Sequence, residues 1–221
     1  MKKERRFIPV EDVEFREDAE GPKIAGYSAR FNVWTDIGGM FMERIAPGAF
    51  TDTIQADDVR ALFNHDPNMV LGRTTNGTLR LSEDRKGLFM EDVPPETSAG
   101  KDVLELIRRG DVTGQSFGFS VLEDKWEAER DFDGVKREAR TIKKARLYDV
   151  GPVTFPAYEQ TDVSVRSAQE VYEEHRQQEA PGGPESDGDG EAAGRTHTPQ
   201  MTSMGNALAL REHEQEMGRV S

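Results

Sequence analysis

The sequence predicts a mainly β fold of the α+β type with an acidic tail behind it, and three observations lead there. Residues 7–157 break into short runs in which apolar and polar side chains alternate, separated by Gly, Pro, Asn and Asp turns. One stretch, 98–110, carries a strong amphipathic helical stripe. From Ser167 onward the composition changes. Residues 167–221 hold 11 acidic and four basic side chains and no Phe, Trp or Ile, so they carry −7 of the total charge of −13.

Phe7 to Phe15 places apolar groups at Val13 and Phe15 between charged ones. Ile24-Ala-Gly-Tyr-Ser-Ala-Arg-Phe31 is a strand whose small residues permit close packing. Asp36-Ile-Gly-Gly39 is a hairpin turn leading into a short strand, Phe41–Ile45, closed by Ala46-Pro-Gly48. Phe50 to Gln55 fits one or two helical turns. Strands follow at Val59–His65, Val70–Gly72, Leu79–Leu81 and Leu88–Val93, with turns at Asn64–Asn68, Asn76-Gly77 and Asp84–Gly87. The helix begins at an N-cap Ser98, buries Val103, Leu104 and Ile107, and ends at Arg108-Arg-Gly110. Beyond it, Ser116–Leu122 is a strand, Glu123–Arg137 a solvent-facing hairpin with Trp126, and Arg140–Val150 the return strand. The expected domain is 1–166. The tail, 167–221, is expected to be largely disordered, with short helical pieces at Ser167–Glu179 and Asn206–Met217 that need a partner to persist.

Bulk properties exclude several function classes. The hydrophobic fraction, 35%, is below that of ordinary globular domains, in keeping with a tail that builds no core. A net charge of −13 argues against a nucleic-acid surface, which needs clustered Lys and Arg. The absence of cysteine removes disulfides and thiolate metal sites. No apolar run is long enough to span a membrane, and the charged Met1–Arg6 lacks a following apolar segment, so a soluble intracellular protein is expected. Asp36, Glu43 and Asp66 are the acidic residues considered for a hard cation; their spacing fits no known loop, and no metal or cofactor is expected.

The chemistry-bearing stretch is Gly110-Asp-Val-Thr-Gly-Gln-Ser116-Phe-Gly-Phe119. A serine at a glycine-flanked helix-to-strand junction is a candidate nucleophile, and equally a turn with an incidental hydroxyl. A nucleophilic serine needs a base. The chain has four histidines, three of them in the tail, which leaves His65, itself a plausible solvated loop residue. Asp149 is the first choice to orient that base, with Glu138 second and strand-edge or solvated roles open for both.

These pieces resemble the prohead maturation protease family of tailed bacteriophages, within the serine-protease clan of herpesvirus assemblin. The resemblance is carried in order by Gly26–Phe31, Ile45–Phe50, Asn64-His-Asp-Pro67 with Leu71-Gly72, Asp84–Leu88, Gly110–Phe119 and Leu147–Ala157, which together span about residues 24–158. It implies an assemblin-like, closed or partly open antiparallel β-barrel with a few flanking helices. It also implies Ser116 as nucleophile, His65 as general base and Asp149, in place of the family's usual Glu, as the third member. Gly118 and Gly151 are the implied neighbourhood for backbone oxyanion donors. The substrate implied is the phage major capsid protein with its scaffolding segment, cut in the prohead in the host cytoplasm, together with the chain itself by autocleavage. The portal and further copies of the chain are candidate partners. The alternative reading is a catalytically inactive scaffold or assembly protein on the same fold, in which Ser116 and His65 stand too far apart to hydrogen-bond.

Overall fold

The structure is a computed structural model that describes residues 4–8, 13–19, 21–132, 134–155 and 162–179. Among these, the chain runs through β1 (Glu4–Ile8), β2 (Glu14–Asp18), β3 (Gly21–Arg30), β4 (Thr35–Ile37), β5 (Phe41–Ile45), α1 (Thr51–Ala56) and β6 (Arg60–Leu62). After a 3-10 turn at Phe63–His65 come β7 (Val70–Arg73), β8 (Leu79–Glu83), β9 (Gly87–Asp92), α2 (Ser98–Arg109), β10 (Gly114–Phe132), β11 (Val135–Val153) and α3 (Asp162–Glu179).

The strands form two sheets. The larger has the order β1-β10-β11-β5-β4, with β6 pairing both β11 and β7; the smaller is β2-β3-β9-β8. The expected barrel does not form. The larger sheet runs from β1 to β4 without pairing between those ends, and it is not purely antiparallel. The reason lies at β11, whose far edge is shared by two short strands running parallel to it. β5 pairs Ala139–Ile142, and β6 pairs Asp149 and Val150. A parallel pair needs a crossover, and here the whole stretch between β6 and β11 supplies it, while α1 carries the chain from β5 to β6 along the same edge of β11. The gap between the two pairings is closed by α1 and its lead-in: Ala145 N–H donates to Ala49 O at 2.9 Å and Leu147 N–H to Thr53 Oγ1 at 2.9 Å. The β11 backbone therefore stays satisfied while its neighbour changes.

Local chemistry explains the elements. β4 and β5 are joined by the three-residue loop Gly38-Gly39-Met40, with Ile37 paired to Phe41 across it and both glycines at positive φ (60° and 74°), as a tight hairpin loop favours. The N-cap of α2 is Thr97, one residue before the expected Ser98, and its side chain accepts Gly100 N–H. Gly110 closes the helix at φ 80°, a conformation that favours glycine. The core lies between the sheets, where Phe50 meets Phe31 at 6.4 Å and Phe117 at 5.9 Å, and Phe117 stacks on Phe119 at 5.1 Å.

The hairpin at 123–137 is not simply solvent-facing. β10 and β11 continue through it as one ladder, and Trp126 packs against Phe41 (4.9 Å between centroids), the Arg140 guanidinium (5.6 Å) and the His175 ring (4.0 Å). Arg140 is buried and donates to Glu43 (3.0 Å) and Asp124 (2.7 Å), which ties β11 to β5 and β10 at one point. α3 starts five positions before the expected Ser167 and has the partner it needs, since Tyr172 stacks on Phe41 and His175 on Trp126. The second helical expectation, Asn206–Met217, and the expected disorder beyond 179 lie outside the described residues.

Candidate active site

Register builds the site. In the β10–β11 ladder Ser116 lies opposite Gly151, and Gly118 opposite Asp149. Opposed residues share a face, and so do residues two apart along a strand. These four positions therefore make a square, with Ser116 and Asp149 on one diagonal and two glycines on the other. Diagonal side chains start about 7–8 Å apart, too far to touch and wide enough for one imidazole. The glycine diagonal leaves that space open. A Cβ at Gly118 would stand 2.8 Å from Asp149 Oδ2, and one at Gly151 would stand 2.1 Å from Leu62 O. Gly118 thus admits the Asp149 carboxylate, and Gly151 admits the end of β6, which delivers His65. Each glycine therefore has a packing reason of its own, independent of the oxyanion role expected near it.

His65 fills the space. Its Nε2 lies 2.5 Å from Ser116 Oγ, and its Nδ1 is hydrogen-bonded to Asp149 Oδ1. All three side chains are buried, with Ser116 0% exposed, His65 8% and Asp149 3%. Buried polar atoms need partners, and these three supply one another's. Since a carboxylate can only accept, the ring's Nδ1 carries the hydrogen to Asp149, which leaves Nε2 to accept from the Ser116 hydroxyl. The histidine arrives in an unusual backbone: Asn64 and His65 are consecutive non-glycine residues at positive φ, 55° and 57°. Phe63 N–H donates to Met69 O (3.1 Å) and Met69 N–H to Asp66 O (2.9 Å), closing the loop on itself.

The remaining candidates are placed elsewhere. Glu138 lies eleven residues before Asp149 on the same strand, roughly 35 Å away at strand rise. It holds Arg176 (3.0 Å) and faces His175 (3.5 Å), so it ties α3 to the sheet. Asp36 pairs with Arg137, Glu43 with Arg140, and Asp66 accepts from Asn68, three separate environments. Among the described residues no cluster of three His, Cys, Asp or Glu could hold a metal ion, and no helix is long and apolar enough to cross a membrane. Sequence reasoning overlooked Asn64 and Thr154. The Asn-His pair was visible as a motif, but the partner of that asparagine is 90 positions away.

The sequence matches the caudovirus prohead serine protease family over residues 10–177. Among solved structures it is similar to gp21, the capsid assembly protease of bacteriophage T4, at 15% identity over 69% of this chain and 96% of that one, with a TM-score of 0.44. No curated protein matches it. The family match takes in the whole Ser116–His65–Asp149 arrangement, and by it this chain belongs to the caudovirus prohead serine proteases, enzymes of phage capsid maturation.

Proposed function

We propose that Ser116 is the nucleophile, His65 the general base and acid, and Asp149 the group that fixes the imidazole tautomer. The observation that supports this reading is the unbroken hydrogen-bonded path from Ser116 Oγ through both ring nitrogens to Asp149 Oδ1. As Oγ attacks the scissile carbonyl carbon, its proton passes to Nε2, and the imidazolium so formed faces the Asp149 carboxylate. Collapse of the tetrahedral intermediate breaks the C–N bond, and Nε2 returns the proton to the leaving amine. Water then repeats the cycle on the acyl-enzyme, releasing the new carboxyl terminus and restoring Ser116.

The substrate of this reading is the major capsid protein, cut within its scaffolding segment inside the assembling prohead, and the protease also cuts its own chain. The test is co-expression of the major capsid protein with wild type, Ser116→Ala and His65→Ala. Processing to the shorter capsid band is expected with wild type and is expected to vanish with both variants. Processing that survives in either variant would remove that residue from the mechanism.

A further inference from the structure

The His65 imidazole is held in its gap by more than its two ring contacts. Asn64 and His65 both occupy the left-handed region, which is uncommon for residues other than glycine, and a consecutive pair there persists when its surroundings impose it. The Asn64 side chain provides such an imposition. Its Oδ1 accepts the Thr154 backbone N–H at 2.9 Å, and its Nδ2 donates to Thr154 Oγ1 at 3.1 Å. Both ends of one amide are thus engaged on one residue. Thr154 follows the last residue of β11 and stands five positions after Asp149, and its neighbour Val153 lies opposite Gly114 at the start of the nucleophile strand. The amide therefore joins the histidine loop to the strand end that also carries the other half of the site.

We propose that Asn64 is a positioning residue, acting through Thr154 to hold the His65 ring between Ser116 and Asp149. The inference rests on the reading of His65 as the base. Without the clamp the loop keeps its own Phe63–Met69 hydrogen bond and the β6–β11 pairing before it but loses its tie to the end of β11 at Thr154, so the ring samples positions out of line with Oγ. Small displacements of a base are costly in rate, because proton transfer and attack require both contacts at once.

The test uses the full chain with Asn64→Gly, Asn64→Asp, Thr154→Val and Thr154→Ser. Glycine at 64 permits the left-handed backbone while removing the clamp; aspartate keeps an acceptor for Thr154 N–H and a second oxygen for its hydroxyl. Two readouts are taken: the rate of capsid-protein processing on co-expression, and the downfield proton resonance of His65 Nδ1–H in the purified protease. Asn64→Gly is expected to slow processing ten- to a hundredfold and to broaden the resonance. Thr154→Val should do the same to a lesser degree, while Asn64→Asp and Thr154→Ser recover most of both. Wild-type processing and a sharp resonance in Asn64→Gly would overturn the clamp. A slow Asn64→Gly with an unchanged resonance, or one not rescued by Asn64→Asp, would overturn it too, since the loss would then not pass through the imidazole. Persistent processing in Ser116→Ala is a separate result, which sinks the catalytic reading and leaves the resonance to judge the clamp.

Discussion

Asp149 and Asp92 are two carboxyls buried to the same degree, 3% and 0% exposed, and each lies against a glycine. Asp149 rests over Gly118 within one sheet, and its Oδ1 is bonded to His65. Asp92, at the end of β9, reaches across to Gly72 of β7, where a Cβ would fall 1.7 Å from its Oδ1. Among the described residues neither of its oxygens has a hydrogen-bond partner, and burial alone pushes its carboxyl up to about 8. The difference teaches what burial does to an acid. With a histidine placed against it, a buried carboxylate can steady a positive charge that forms and disappears. With nothing against it, the same group keeps its proton near neutrality and behaves as a packing element with a pH-dependent cost.

The largest expected effect separates the two by charge. Asp149→Asn presents an amide to Nδ1 and favours the wrong tautomer, so capsid processing should fall by about 10⁴-fold, the size of loss the equivalent change causes in a Ser-His-Asp protease. Asp92→Asn should leave the processing rate within about twofold, as expected of a carboxyl that is hydrogen-bonded to none of the three site side chains. Equal losses from the two substitutions would erase the distinction.

The glycines test the same contrast by shape. Gly118→Ala puts a methyl 2.8 Å from Asp149 Oδ2, so the carboxylate must move and take the imidazole with it. A loss of about a hundredfold in processing is expected from a displacement of this kind. Gly72→Ala drives a methyl into Asp92 and should register as stability, about 2–3 kcal/mol in urea unfolding. The double variant Gly72→Ala/Asp92→Gly should recover part of that loss, because the clash requires both side chains. Additivity of the two single changes would show that Asp92 does not fill the space over Gly72.

How much of this was legible in the sequence follows from what each feature depends on. β5 and α2 rest on local periodicity and turn chemistry, and the structure places them where the pattern does, with the α2 cap shifted by one residue to Thr97. The long β10–β11 hairpin is continuous in the structure, whereas its sequence pattern breaks into pieces. Its charged middle does not alternate, and it is held instead by cross-strand contacts such as those of Arg140 with Asp124 and Trp126. The parallel pairing of β5 and β6 on β11, which leaves the sheets unclosed, depends on a crossover that no local pattern encodes. At the site, residue types and a single histidine before the tail marked Ser116, His65 and Asp149 as candidates, with Glu138 and solvated roles still open, and only the family resemblance attached roles to them. The diagonal that brings them together was not legible, since it depends on which residue of β11 faces Ser116. The Asn64–Thr154 contact and the carboxyl over Gly72 were invisible for the same reason: their partners are far apart in sequence.

The effect most specific to Asp92 is the one that has a sign in pH. Burial raises its carboxyl from 3.8 in the unfolded chain to about 8 in the folded one. Below about pH 4 both states hold the proton and the group costs nothing extra. Between there and about pH 8 the unfolded chain has released a proton that the folded chain keeps, so folding binds a proton and stability falls as pH rises. Above that range the cost is constant. Asp92→Asn cannot release a proton, so the difference in unfolding free energy between variant and wild type should grow in the variant's favour with a slope of up to about 1.4 kcal/mol per pH unit. The slope is the quantity to measure, by urea unfolding at pH 5, 6, 7 and 8, because the buried amide of the variant adds a cost of its own that does not change with pH. A flat difference across that range would mean that Asp92 is already ionised in the folded protein. It would then have to be counted with Asp149, as a carboxylate whose charge is met.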